Sequence, residues 1–222
     1  MTSIVEPVES KIIYPDSDGK PMSDNTQQFR WIVLVKENLE LLFANNSYVF
    51  VAGDLLWYPV EGNPKIRAAP DAMVVFGRPK GDRGSYRQWV ENNIPPQVVF
   101  EILSPGNTVK EMLKKQEFYN RHGVEEYYIY DPDDNHLQGM QRREQSLSII
   151  EEMNQWVSPR LGIKFSLTSE TLEIYFPNGE KFLSYLELFQ RAEEANQRAQ
   201  EADQRAEKLA AQLRSLGVDP DS

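Results

Sequence analysis

The 222 residues, 40% of them apolar and 11% aromatic, mark a globular chain with enough material for one large domain, or one domain and an appendage. A net charge of −10 argues against strong non-specific binding to nucleic acid, which depends on neutralised phosphates, so any such contact needs locally concentrated basic residues. With no cysteine there is neither a disulfide framework nor a Cys-based zinc site, and only His122 and His136 offer imidazole. Any metal would therefore be held mainly by oxygen, which favours Mg²⁺ or Mn²⁺.

The start, residues 1–6, has neither the basic region nor the apolar stretch of a signal peptide, and no run approaches the roughly 20 residues of a membrane span. A cytoplasmic location is expected. Residues 1–22 read as an irregular lead-in rich in turn formers. A helix is predicted from a cap at Ser23 or Asp24 to about Phe43, with Trp31, Leu34, Val35, Leu39, Leu41 and Leu42 on a wide apolar arc. After a turn at 45–47, Tyr48 to Ala52 and Leu55 to Tyr58 read as strand, broken by a bulge or bend at Gly53-Asp54. Ala72 to Phe76 is the next strand. The segment from Gly77 to Pro96 reads as a basic, glycine-rich loop carrying Arg78, Lys80, Arg83 and Arg87 beside Tyr86 and Trp89. Such a loop suits a phosphate-tracking surface, and it equally suits a solvated loop whose arginines pair with nearby acids.

Val98 to Leu103 is apolar in both alternation phases, the pattern of a strand buried on both faces. Thr108 and Glu111 form a capping box for a helix ending near His122, with Gly123 after it. Tyr127 to Tyr130 follows as a strand, so residues 98–130 form a βαβ unit whose strands should be parallel. From Leu137 to Leu183 the chain reads as short, mainly antiparallel strands, including a hairpin-like pair around 177–179. From Leu188 the composition shifts to Ala, Glu, Gln and Arg. Ala192, Ala195, Ala199, Ala202, Ala206, Leu209, Leu213 and Leu216 then recur at spacings of three and four, a coiled-coil seam that wants a partner.

Glu101 interrupts the doubly buried strand, and a carboxylate persists there only if protonated, paired or bound to a cation. Pro70 cannot donate to a ladder, so it fits the beginning of a strand and fixes where Asp71 points; a plain turn role for Pro70-Asp71 is the alternative. If Asp71 and Glu101 stand at matching heights on adjacent strands, they can share one divalent cation with the carbonyl of Ile102 and waters. Lys115 shares a helix face with apolar residues, and its stem can carry the ammonium to the sheet. Pairing with Glu111 is the bland alternative, and Lys114 the competing lysine.

Pro70-Asp71, Val99 to Pro105, Lys115, Tyr119, Gly123-Val124, Glu126-Tyr127 and Tyr130-Asp131-Pro132 together resemble the Uma-type family of restriction endonucleases, abundant in cyanobacteria, within the PD-(D/E)XK nuclease superfamily. The similarity spans roughly Asp24 to Leu183. In that superfamily the lysine usually stands two positions after the glutamate; here that position is Leu103, and the resemblance implies a lysine moved to the following helix, at Lys115. It further implies an α/β fold with a restriction-endonuclease-like core, a mixed β-sheet flanked by helices, over residues 23–187, followed by a C-terminal coiled-coil helix and tail over 188–222. The implied activity is hydrolysis of DNA phosphodiesters, with Asp71 and Glu101 holding Mg²⁺ or Mn²⁺ and Lys115 orienting water or stabilising charge. An additional acid is expected at Glu37, or at Asp54 from the sheet. The seam, and the need to cut two strands, point to a homodimer. A non-catalytic interaction protein acting through the core and the coiled coil is the second reading.

Overall fold

The structure is a computed structural model that describes residues 12–17, 19 and 21–215. The rest of the predicted lead-in, and Leu216 at the end of the seam, lie outside the described residues. The chain divides into two units, Met1–Phe182 and Leu183–Ser222.

In the first unit, α1 (Thr26–Leu42) is capped by Asn25, whose side chain accepts from the backbone N–H of Gln28. Ser23 and Asp24, the expected caps, do not serve, and the Asp24 carboxylate instead accepts from the Ser104 hydroxyl at 2.5 Å. The buried apolar stripe of α1 is Ile32, Val35 and Leu39, a three-four spacing that puts one narrow face on the core. Leu41, placed on the arc by the sequence reading, lies outside that stripe and is 53% exposed.

Strands β1 (Val49–Ala52) and β2 (Trp57–Tyr58) are separated by Asp54 at φ 47°, a left-handed turn that Asp tolerates. After β3 (Ala72–Phe76), the segment read as one loop contains β4 (Tyr86–Arg87), paired parallel with β2, and a turn of 3₁₀ helix at Gln88–Val90. Two residues of strand are too short to leave an alternation signal, although the burial of Tyr86 anchors them. Next come β5 (Val98–Ile102) and α2 (Val109–Arg121), which begins with the Thr108–Glu111 capping box and is followed by Gly123 at φ 91°. A cap of this kind contributes about 1 kcal/mol. The chain continues through β6 (Glu126–Asp131), β7 (His136–Arg143), β8 (Ser146–Ile149), β9 (Lys164–Leu167) and β10 (Leu172–Tyr175). The turn expected at 177–179 closes as a Tyr175–Lys181 bridge, with Gly179 at φ 84°.

Among the described residues the principal sheet has six strands in the order β1-β3-β5-β6-β7-β8. The β5–β6 pair is parallel and the other neighbours antiparallel, so the sheet is mixed and the βαβ unit is present. Alternation sorts its side chains onto two faces. Ala72, Val74, Val98, Phe100 and Ile102 pack with Ile32, Val35 and Leu39 of α1. Met73, Val75, Val99 and Tyr127 pack with Tyr119 of α2, Trp57 and Tyr86. Asp71 and Glu101 carry the odd-numbered phase of the second face, so the strands deliver both carboxylates to the side covered by α2.

The second unit contains α3 (Tyr185–Ser215), begun by a reciprocal Ser184–Glu187 cap. It buries none of its described side chains: Tyr185, Leu186, Phe189, Leu209 and Leu213 are all exposed. No described helix is long and apolar enough to cross a membrane.

Candidate functional site

Strand β3 pairs with β5 in a register that matches Met73 with Val99 and Ala72 with Phe100. One step further along it stand Asp71 and Glu101, and directly opposed residues share a face. Pro70 ends the ladder, and the Asp71 side chain takes over its last bond: the Ile102 N–H donates to Asp71 Oδ2 at 2.6 Å. Asp71 is 8% exposed and Glu101 2%. Each Glu101 oxygen has a donor, with Lys115 Nζ 2.6 Å from Oε2 and the Tyr119 hydroxyl 2.5 Å from Oε1. Both come from α2, where residues four apart lie on one face. Lys114 is exposed, so the helix phase presents Lys115 to the sheet.

The electrostatics follow from the crowding of acids under a single ammonium. Burial, reinforced by the neighbouring Glu101 charge, pushes the Asp71 carboxyl well above the usual carboxylate range, against the opposing pull of Lys115 and the Ile102 N–H. For Lys115, burial works to lower the pKa, but Glu101, Asp71 and Asp54 outweigh it and the net shift is upward. Tyr119 is pushed well up by burial and by Glu101, so its hydroxyl stays protonated and donates. The Tyr127 hydroxyl, raised by burial and by the charges of Glu101 and Asp71, is buried without a hydrogen-bond partner among the described residues.

The carbonyl of Ile102 faces the same strand edge as its N–H and accepts from Gln28 Nε2 at 2.8 Å, while Gln28 Oε1 accepts from the Asp24 N–H. A carbonyl has two lone pairs, so one remains after this bond. Two carboxylates and a backbone carbonyl, with a surplus of negative charge over the one lysine, form an oxygen-only donor set suited to a hard divalent cation. No group of three or more acidic or imidazole side chains that could by themselves hold a metal ion occurs among the described residues; His122 packs against Phe118 and Trp57, and His136 is exposed.

The two further acids separate clearly. The structure does not bring Glu37 to the site: its side chain is 62% exposed and pairs with Lys36 at 3.0 Å, because it lies beyond the narrow buried face of α1. Asp54 does approach, its N–H donating to the Pro70 carbonyl at 3.1 Å and its charge acting on both Asp71 and Lys115. The basic loop divides as well. Arg78 and Arg83 each place Nε 2.7 Å from the same carboxylate, Glu91, and Arg83 also donates to the carbonyls of Pro79 and Gly81 and stacks on Phe50. Their guanidiniums face inward and brace the loop, the pairing with a nearby acid that the sequence allowed beside a phosphate-tracking role. Lys80 is half-buried at the rim of a groove and Arg87 is exposed.

The sequence reading gave no site role to Gln28, Glu91, Tyr119 or Tyr127, although Tyr119 and Tyr127 are among the residues that carry the resemblance. Nothing in the spacing of Gln28 marks it; its role depends on a carbonyl 74 residues away in the chain. Tyr119 stands four residues after Lys115, and that interval on a helix was the available signal.

A family description, Uma2, "Putative restriction endonuclease", matches residues 18–181. Comparison with curated proteins gives no match. Among solved structures, similarity is found to a crystal structure described as a putative nuclease belonging to DUF820 from Anabaena variabilis ATCC 29413, at 18% identity and a TM-score of 0.46, covering 68% of this chain and 78% of that one.

Proposed function

The chain belongs to the Uma2 restriction endonuclease family, and on that footing we propose that it is a Mg²⁺-dependent endonuclease that hydrolyses DNA phosphodiester bonds. The observation that carries this reading is the meeting of Asp71, Glu101 and Lys115 at one end of β5, with Ile102 between them. Asp71, Glu101 and the Ile102 carbonyl would hold Mg²⁺ or Mn²⁺, and Asp54 adds negative charge nearby. The cation, when bound, supplies Lewis acidity towards the scissile phosphate. Lys115 Nζ, raised so that it stays protonated, stabilises charge developing on the phosphate or orients the attacking water. Tyr119 holds Glu101 Oε1 in place, and Gln28 does the same for the Ile102 carbonyl, a supporting shell of the kind that orients ligands. Lys80 and Arg87 are the loop cations left to meet DNA.

The test is a melting curve with and without millimolar Mg²⁺ or Mn²⁺, paired with cleavage of supercoiled plasmid and of single-stranded DNA. A metal-dependent rise in Tm together with metal-dependent cleavage is the expected result. No shift and no cleavage across a range of salt would overturn the reading in favour of a non-catalytic interaction protein.

We also propose a homodimer, supported by the apolar residues that α3 leaves exposed, Leu209 and Leu213 among them, and by the two active sites that cutting a duplex calls for. Leu209→Asp with Leu213→Asp should weaken self-association in sedimentation equilibrium. A parent chain that stays monomeric at about 10–100 μM, where a modest interface is already populated, would end the proposal.

A further inference from the structure

Beside the acid site lies an open groove of about 490 Å³, within the roughly 300–1,000 Å³ span of ligand sites. One wall is α1, through Lys36 and Glu40; the other is the basic loop, through Lys80 and Arg83; Phe50 and Gly53 lie between. The loop wall is rigid, since Arg83 is fixed by Glu91 and by two carbonyls. Lys80 has no side-chain hydrogen bond or ion pair among the described residues. Lys36 is held at 2.8 Å by Glu40 and at 3.0 Å by Glu37.

Gly53 ties this groove to the catalytic acids. A Cβ at residue 53 would meet Lys36 Cγ at 3.2 Å and the Asp71 carbonyl oxygen at 3.3 Å. The Lys36 stem thus passes close to the backbone that carries Asp71, and a side chain at residue 53 would have to push one of the two aside by a few tenths of an ångström. An ammonium whose stem lies against the strand bearing a nuclease acid is placed to meet the phosphate chain that the acid cuts.

We propose that the groove between Lys36 and Lys80 binds the phosphate backbone of the DNA strand being cut, and that Glu37 and Glu40 cage Lys36 until a phosphate displaces them. The inference rests on the nuclease reading above and adds its substrate path and a selectivity device. Exposed ion pairs of this kind contribute little to stability, so a phosphate can exchange with the carboxylates at small cost.

The experiment measures anisotropy of a fluorescein-labelled duplex oligonucleotide and its single strand, with EDTA present so that cleavage does not intervene. Glu37→Gln with Glu40→Gln should tighten binding about two- to fivefold, the equivalent of an exposed ion pair. Lys36→Met keeps the apolar stem over Gly53, so its Tm should match the parent; it should weaken binding and lower the slope of log K against log salt by about 0.9 for duplex, one phosphate contact. In the triple variant the gain from the glutamines should vanish. If DNA binds the parent and none of these substitutions changes affinity or slope, the groove assignment fails while the nuclease reading stands. If DNA neither binds nor is cleaved by the parent with Mg²⁺, both fail together.

Discussion

Adjacent parallel strands β5 and β6 each carry a buried glutamate, and the two are held in opposite ways. Glu126, 1% exposed, accepts from the Tyr128 hydroxyl, the Ser158 hydroxyl and the Arg160 N–H. Its side chain is enclosed by neutral donors from two segments, β6 itself and residues 158–160, on the face that Tyr128 shares with the α1 core. Glu101, on the opposite face, is enclosed by a lysine and a tyrosine from one helix and confronts a second buried carboxyl, Asp71. Burial of a carboxylate by itself therefore does not mark a site in this protein. What marks it is an unresolved surplus of charge: a neighbouring acid pushed up in pKa, a cation held close, and a hydroxyl left without a partner.

The sharpest way to break this contrast is to neutralise each acid. Asp71→Asn and Glu101→Gln should each lower metal-dependent cleavage by at least about 10²- to 10³-fold, the loss expected when a group that stabilises the transition state is removed. Both should remain folded, since the amides keep the shape and most of the bonds. Glu126→Gln should keep cleavage near the parent rate in the same plasmid assay. Wild-type cleavage by Asp71→Asn and Glu101→Gln would remove the functional half of the contrast, and a dead but folded Glu126→Gln would remove the structural half.

The contrast between neighbouring lysines comes next in size. Lys115→Ala should reduce the cleavage rate about 10²-fold through the lost electrostatic contact, whereas the exposed Lys114→Ala should change it little. A reversed ranking in single-turnover assays would mean that the ammonium 2.6 Å from Glu101 only holds the helix to the sheet.

These contrasts also show how far residue patterns reach. The strands around Glu101, the capping box of α2 and the parallel β5–β6 pair were all legible, because alternation, cap chemistry and crossover length are local properties. Asp71 and Glu101 were legible as a pair once both were assigned to strand starts and ends on neighbouring strands. Glu126 was not legible as a satisfied acid, because Ser158 and Arg160 lie more than 30 residues downstream on an irregular segment. Pairing of the loop arginines with an acid was open in the sequence, but its partner was not legible: Glu91 lies close in sequence to Arg83, yet the short β4 and the 3₁₀ turn that aim it inward leave no periodic trace. Nothing in the sequence singles out Lys36, and only the space above Gly53 reveals where its stem goes.

Stability separates the two glutamates by a smaller amount. Glu126→Ala would strand the Tyr128 and Ser158 hydroxyls and the Arg160 N–H, at about 1–3 kcal/mol for each buried donor left unsatisfied. Over the three donors this is about 3–9 kcal/mol, and the melting temperature should fall by roughly 6–36 °C at the 2–4 °C per kcal/mol usual for a chain of this size. Any rise in Tm caused by Mg²⁺ should persist in this variant and disappear in Asp71→Asn. A Glu126→Ala protein as stable as the parent would show that water replaces the carboxylate and that the enclosure is loose.

The smallest effect tests the charge surplus itself, in the metal-free protein kept in chelator. Burial and Glu101 raise the Asp71 carboxyl above its unfolded value, so between the two values the folded chain retains a proton that the unfolded chain has lost. Stability falls with rising pH wherever the folded state binds more protons. The penalty is absent below the ordinary Asp range near about pH 4, grows as pH rises towards the raised value, and is complete above it. Asp71→Asn carries no such proton and retains an oxygen to accept from the Ile102 N–H. The Tm difference between this variant and the parent should therefore widen in the variant's favour from about pH 4 to about pH 8. Added Mg²⁺ should narrow or reverse it, because a cation favours the ionised carboxyl. A difference that stays flat over this range would mean that Lys115 alone compensates both acids, and Asp71 and Glu101 would then be a balanced pair like the neutral enclosure of Glu126.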